Sequence, residues 1–193
     1  SASARPSKGL NNYAVTELKR FIYEVGRTYG HIQCDQEKSI IAIAKAAIKD
    51  TGCLQIRMAS KRSSQSPCSV ERCDETLDGE GRALRIHIEF AYDVTLYSND
   101  AIMPWIVRHA SWLLNRYLLH DDSLTSKQRR WQQSFQQSIC EFGESVIYLD
   151  PGKQKSKRKI DVKWNDGIWI GKWSARADHL VGYSEGVPRA RSI

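Results

Sequence analysis

The sequence predicts an α/β fold followed by a small β-barrel. Three observations carry this. Between residues 12 and 58 a helical pattern and a short apolar run alternate twice, which is the order of an α/β layer with parallel strands. Two longer helical patterns follow, over 70–92 and 101–119. Beyond residue 142 the chain turns to short β-type runs separated by turn residues, as small barrels do.

The first helix is expected over 12–26, where Tyr13, Leu18, Phe21, Ile22 and Val25 recur at three- and four-residue spacing. Asn11 or Asn12 can cap its start and Gly26 can end it. His31-Ile32-Gln33-Cys34 reads as a strand that stops at Asp35. The Ala- and Ile-rich stretch 37–49 reads as a second helix, ended by Gly52, and Leu54 to Met58 alternates as a second strand. Residues 59–69 form a polar loop. Ser66-Pro67 opens the long helix, with Ser as cap and Pro at the first helical position. Leu77, Leu84 and Ile88 mark its apolar face, while Gly79 and Gly81 each weaken its middle by about 1 kcal/mol. Pro104 sits in the first turn of the 101–119 helix. Its stripe of Ile102, Trp105, Ile106, Trp112, Leu113 and Tyr117 reads as core rather than as a base-stacking platform.

Residues 121–141 are polar and Gln-rich and read as a linker. From 142 onward, Val146 to Leu149, Ile168 to Gly171 and His179 to Gly182 are β-type runs, punctuated by Asp-Pro-Gly, Asn-Asp-Gly and Glu-Gly. The organisation expected is therefore a core over 10–120, a linker over 121–141 and a basic barrel over 142–193.

Charge divides at the same place. Residues 1–150 carry 19 Lys+Arg against 18 Asp+Glu, whereas residues 151–193 carry 10 against 4, so nearly all of the net charge of +7 lies in the tail. Such a block attracts polyanions through counterion release; a solvated, solubilising tail is the plainer reading of the same charge. Lys153, Lys155, Lys157, Arg158 and Lys159 concentrate it within one expected hairpin loop. The five cysteines lack paired or zinc-knuckle spacing, which points to reduced thiols in an intracellular protein. No apolar run approaches the length of a membrane span. The basic start has no signal-peptide core, and the lack of an initiator Met reads as a fragment or a processed piece.

Two carboxylates stand out. Asp35 follows an expected strand, where open α/β sheets place ligands. Glu71 falls in the first turns of the long helix. Taken singly, Asp35 reads as a cap of the 37–49 helix and Glu71 as a partner of the helix dipole. Brought together by a fold, they are hard oxygen ligands suited to Mg²⁺.

Their context carries a resemblance. Gln33-Cys34-Asp35-Gln36-Glu37, then 35 residues between Asp35 and the Glu of Val70-Glu71-Arg72, resembles the Asp-Asp-35-Glu signature of retroviral-type integrases. Pro104-Trp105-Ile106-Val107-Arg108-His109-Ala110-Ser111-Trp112-Leu113-Leu114-Asn115-Arg116-Tyr117 is similar to the helix after the active-site helix in copia-type retrotransposon integrases. So are Phe142-Gly143-Glu144-Ser145-Val146 and the stretch from Trp164 to Arg191, and the resemblance covers nearly everything from Tyr13 to Ile193. It implies a ribonuclease-H-like fold over 10–120 and three carboxylates that bind Mg²⁺ or Mn²⁺. It also implies phosphoryl transfer that trims element DNA ends and joins them to target DNA. Asp35 would be the second carboxylate and Glu71 the third.

The chain departs from that pattern in its first 34 residues, which contain no Asp; Glu17 and Glu24 lie on an expected helix. The family's first three strands have no counterpart, and neither does its N-terminal zinc module. Ser66-Pro67-Cys68 stands where the family has Ser-Asn-Gly. The expectation is an incomplete core with a two-stranded sheet, which is marginal by itself. Helices 12–26 and 70–92 would be short of partner surface, and Mg²⁺ or Mn²⁺ would be held weakly or not at all. Functionally, this reads as a truncated retrotransposon integrase, tied to DNA integration and nucleic-acid binding but inactive alone. DNA is the expected partner, with RNA as a second polyanion, a homo-oligomer open, no membrane, and the nucleus as compartment. The runner-up is a non-enzymatic DNA- or chromatin-binding module retained from such an element; a fragment with no function of its own is the third.

Overall fold

Helices and strands follow one another in the order α1 (Asn12–Val25), β1 (Gly30–Cys34), α2 (Lys38–Ile48), β2 (Leu54–Met58), α3 (Cys68–Tyr92), α4 (Met103–Tyr117), α5 (Ser126–Trp131), β3 (Ser145–Leu149), β4 (Trp164–Lys172), β5 (His179–Gly182) and β6 (Arg189–Ala190). This computed structural model describes residues 11–26, 29–49, 54–58, 68–149, 163–173 and 178–193. The chain divides into two units, residues 3–76 and residues 77–193, with the boundary inside α3. The fold class is α/β, as the helix–strand alternation predicts.

In the first unit Asn11 caps α1, its side-chain oxygen accepting the Ala14 N–H at 2.7 Å. Gly26, at φ 63°, ends the helix in the left-handed conformation that glycine tolerates. Strands β1 and β2 are parallel and in register from Gly30 opposite Leu54 to Cys34 opposite Met58. Helix α2 connects them and packs on both, and α1 packs on α2. Ile43, Ala44 and Ala47 of α2 are buried. No residue of α1 is buried, and neither strand has a fully buried residue. Tyr13, Phe21 and Tyr23 stay exposed. A two-stranded sheet has too little surface to cover a helix layer, which is the shortage of partner surface expected from the sequence.

The second unit is better filled. Ile88 of α3, Ile106 of α4, Phe142, Ile170 of β4 and Leu180 of β5 form one buried cluster. Tyr148, Val181 and Ala190 form a second, with Val146 and Ile193 against it. Strands β3, β4, β5 and β6 make an antiparallel sheet in that order. A register shift between Trp169 and Gly171 of β4 breaks the in–out alternation. A bulge of this kind turns neighbouring side chains to one face, and Trp169 and Ile170 are accordingly both buried. Burying a side chain of this size contributes up to about 3 kcal/mol.

The small β-barrel expected from the sequence is not closed among the described residues. The described strands form an open sheet. It curls enough for the Leu149 N–H to donate to the Ser192 carbonyl at 3.3 Å, but β6 is two residues long and forms no ladder with β3. Within 121–141 the chain forms α5. Thr125 and Gln128 make a reciprocal capping box, Arg129 grips Asp122 with two hydrogen bonds of 2.8 and 2.9 Å, and Phe135 meets Trp112 edge-on at 5.0 Å. The Ser66-Pro67 helix start, the Gly52 stop, the 59–67 loop and the Asp150-Pro151-Gly152 turn lie outside the described residues. Cys34, Cys73 and Cys140 are free thiols.

Candidate functional site

Asp35 is exposed and directly follows β1, at the C-terminal end of a strand in a parallel pair. Its Oδ1 accepts the N–H of its neighbour Gln36 at 2.6 Å. It does not cap α2: the N-cap position is Glu37, whose side chain makes no capping bond and accepts instead from the Ser39 hydroxyl at 2.6 Å. The capping role that would explain Asp35 structurally is therefore not realised.

Glu71 is exposed in the first turn of α3. A carboxylate there faces the positive end of the helix dipole. No hydrogen bond or ion pair joins the Glu71 carboxylate to Asp35 among the described residues. Nor, among those residues, do three or more His, Cys, Asp or Glu side chains lie together as a metal site. Two oxygen-donor carboxylates without a third among the described residues fall short of a resident Mg²⁺ or Mn²⁺ site. The basic cluster Lys153, Lys155, Lys157, Arg158 and Lys159 lies outside the described residues.

The second unit contains two polar–aromatic arrangements that the sequence did not disclose. His109 of α4 is buried, stacked on Phe142 at 4.9 Å and on Trp112 at 5.6 Å, with Trp169 edge-on at 5.3 Å. Its Nδ1 has no hydrogen-bond partner. Burial pushes this imidazole down to about 4, so it is neutral at pH 7. Trp169 Nε1 donates to His179 Nδ1 at 3.0 Å; burial first, then the Lys172 ammonium, lowers the His179 pKa. Burial and the Glu144 carboxylate push the Cys140 thiol up, which makes it a poor nucleophile.

The other arrangement is a ladder of alternating indoles and guanidiniums. The Arg108 guanidinium of α4 lies 5.6 Å from the Trp105 ring and 4.7 Å from the Trp173 ring. The Arg189 guanidinium of β6 lies 5.1 Å from the same Trp173 ring. The Arg-His-Ala-Ser-Trp run in α4 was visible in the sequence, but nothing in it signals that Arg108 meets Trp173.

Neither a protein-family model nor a curated protein matches this sequence. A chain in the cryo-electron microscopy structure of the simian T-cell lymphotropic virus intasome, in complex with the PP2A regulatory subunit B56 gamma, is similar over 98% of this chain at 14% identity and a TM-score of 0.48. This chain spans 64% of that one. No helix among the described residues is long and apolar enough to cross a membrane.

Proposed function

We propose that this chain is an integrase-type DNA-binding protein, similar to copia-type retrotransposon integrases, whose set of catalytic carboxylates is incomplete within these residues. The observation that carries the reading is Asp35. It is exposed at the C-terminal end of a parallel strand, where α/β sheets place ligands, and it is not used to cap α2. Glu71, separated from it by 35 residues and exposed in the first turn of α3, supports it. So does the basic tail, with 10 Lys+Arg against 4 Asp+Glu over 151–193, which suits phosphate contact.

Asp35 and Glu71 would hold Mg²⁺ or Mn²⁺ only weakly. Of the enzymatic and the non-enzymatic versions, the lack of a third ligand among the described residues favours a binding module for DNA or chromatin, acting in the nucleus. The test is strand transfer from a short duplex into supercoiled plasmid with Mg²⁺ or Mn²⁺, run beside DNA binding. The purified chain is expected to give no product above background. Asp35→Ala and Glu71→Ala are expected to bind duplex DNA as the parent does. Robust strand transfer that Asp35→Ala abolishes would overturn the incomplete-set reading.

A further inference from the structure

We propose that Arg116 of α4 and Lys127 of α5 form a docking site for an acidic, apolar segment of a partner protein. The partner's carboxylates meet the two cations, and its apolar side chains enter the groove beside Tyr117. The site lies within the second unit and does not depend on the DNA-binding reading above. It is built round one ring. The Arg116 guanidinium lies 5.6 Å and the Lys127 ammonium 5.1 Å from the Phe135 centroid, and Arg116 also covers Trp112 at 4.3 Å. Tyr117 meets the same Phe135 ring edge-on at 5.9 Å.

The two cations have no acid to pair with among the described residues. Arg116 Nη1 makes one long hydrogen bond, 3.5 Å, to the Trp112 carbonyl, while Arg116 Nε and Trp112 Nε1 have no hydrogen-bond partner. Of the acids nearest in sequence, Asp122 is gripped by Arg129, and Asp121 raises the pKa of that same arginine. Burial first, then the Arg116 charge, lowers the Lys127 pKa, so the two charges act against each other. One cation would serve to pack Phe135; a pair without an acid calls for carboxylates, which relieve both.

The surroundings favour a protein segment over a duplex. Tyr117 joins the pair to a groove of about 440 Å³ lined by Leu113, Leu114, Tyr117, Leu118, Ile139 and Glu80. Tyr117, Leu118 and Ile139 are exposed. Such walls gain from covering by apolar groups, which a phosphate backbone does not supply. Glu80 repels acid from the groove itself. Charge complementarity therefore sets the partner's carboxylates at Phe135 and its apolar residues against the leucines of α4. Arg116 and Lys127 are half-buried, and a carboxylate on a slender side chain reaches such recessed donors.

The test is a titration with a short peptide of Glu and Leu, beside the corresponding peptide of Gln and Leu and a mixed-sequence DNA duplex. Because the basic tail attracts any polyanion, occupancy is read locally by NMR, from the Arg116 Nε–H and Trp112 Nε1–H signals. Parent chain, Lys127→Gln, Lys127→Glu and Arg191→Gln are compared, Arg191 being an exposed cation outside the cluster. The Glu and Leu peptide is expected to shift both signals saturably, and the Gln and Leu peptide to bind at least about tenfold more weakly. Lys127→Gln is expected to weaken the acidic peptide about fivefold, the upper end for a partly exposed pair, and Arg191→Gln less than about twofold. Lys127→Glu is expected to weaken it more than about tenfold. An acidic peptide that leaves both signals unmoved, or whose affinity survives Lys127→Glu, would overturn the site. Equal binding of the Gln and Leu peptide would reduce it to an apolar groove and remove the carboxylates from the account. A duplex that moves the two signals at lower concentration than the peptide would put nucleic acid in the partner's place and overturn the proposal too.

Discussion

Gly171 of β4 abuts the imidazole of His109 in α4: a Cβ at Gly171 would stand 3.0 Å from His109 Nδ1. Gly171 also has φ +124°, which L side chains rarely adopt. The close approach is what lets a helix side chain pack against the bulged stretch of β4. Gly171→Ala combines backbone strain with overpacking and is expected to destabilise the second unit by about 2–4 kcal/mol. All six tryptophans lie in residues 77–193, so urea unfolding followed by tryptophan fluorescence reads that unit. An unchanged midpoint would contradict the packing described.

His109 makes the same unit acid-sensitive. Its folded pKa is about 4, against an unfolded value near ~6.5. Above the unfolded pKa both states are neutral and stability is full. As pH falls from about 6.5 to about 4 only the unfolded chain takes up the proton, so stability declines, by about 3 kcal/mol from this group, and is flat below. His179, also lowered, acts in the same direction. Urea midpoints at neutral and mildly acidic pH check this, with His109→Phe expected to flatten the dependence; an identical slope in that variant would show that another group is responsible.

Gly79 and Gly81 tell the opposite story from Gly171. A Cβ on either would meet its nearest neighbour at 3.9 Å, an ordinary contact. Neither glycine is needed for close approach, and both lie inside α3. Gly79→Ala and Gly81→Ala are each expected to stabilise by about 0.5–1 kcal/mol, read as a higher midpoint in thermal unfolding. A loss of stability in either would mean that the glycine serves something other than helix continuity.

How much of this was legible depended on whether the signal was local. Helix α1 carried its cap, its periodicity and its terminal glycine in one stretch, and α2 and β2 carried their apolar patterns, so each emerged close to its expected ends. Strand β4 was longer than the apolar run suggested, because its first residues, Trp164 to Gly167, are mixed polar and pair with β3 through the backbone. Helix α5 hid in a polar stretch because what fastens it, Phe135 on Trp112 and Arg129 on Asp122, is a matter of contacts rather than of composition. The candidate carboxylates were readable as residues after a strand and inside a helix, while the uncapped state of Asp35 needed the structure. The Arg108–Trp173–Arg189 ladder was invisible in sequence, since its three members come from separate elements.

The central claim, a DNA-binding chain whose affinity is electrostatic, is tested most directly by the salt dependence of duplex-DNA binding in the parent and in a variant with Lys153, Lys155, Lys157, Arg158 and Lys159 all changed to Gln. Binding by the parent is expected to be salt-sensitive. In the variant, affinity is expected to be about tenfold lower at moderate salt, with a log–log slope shallower by at least about 2. Binding that is absent in the parent, or that keeps its affinity and slope in the variant, would contradict it.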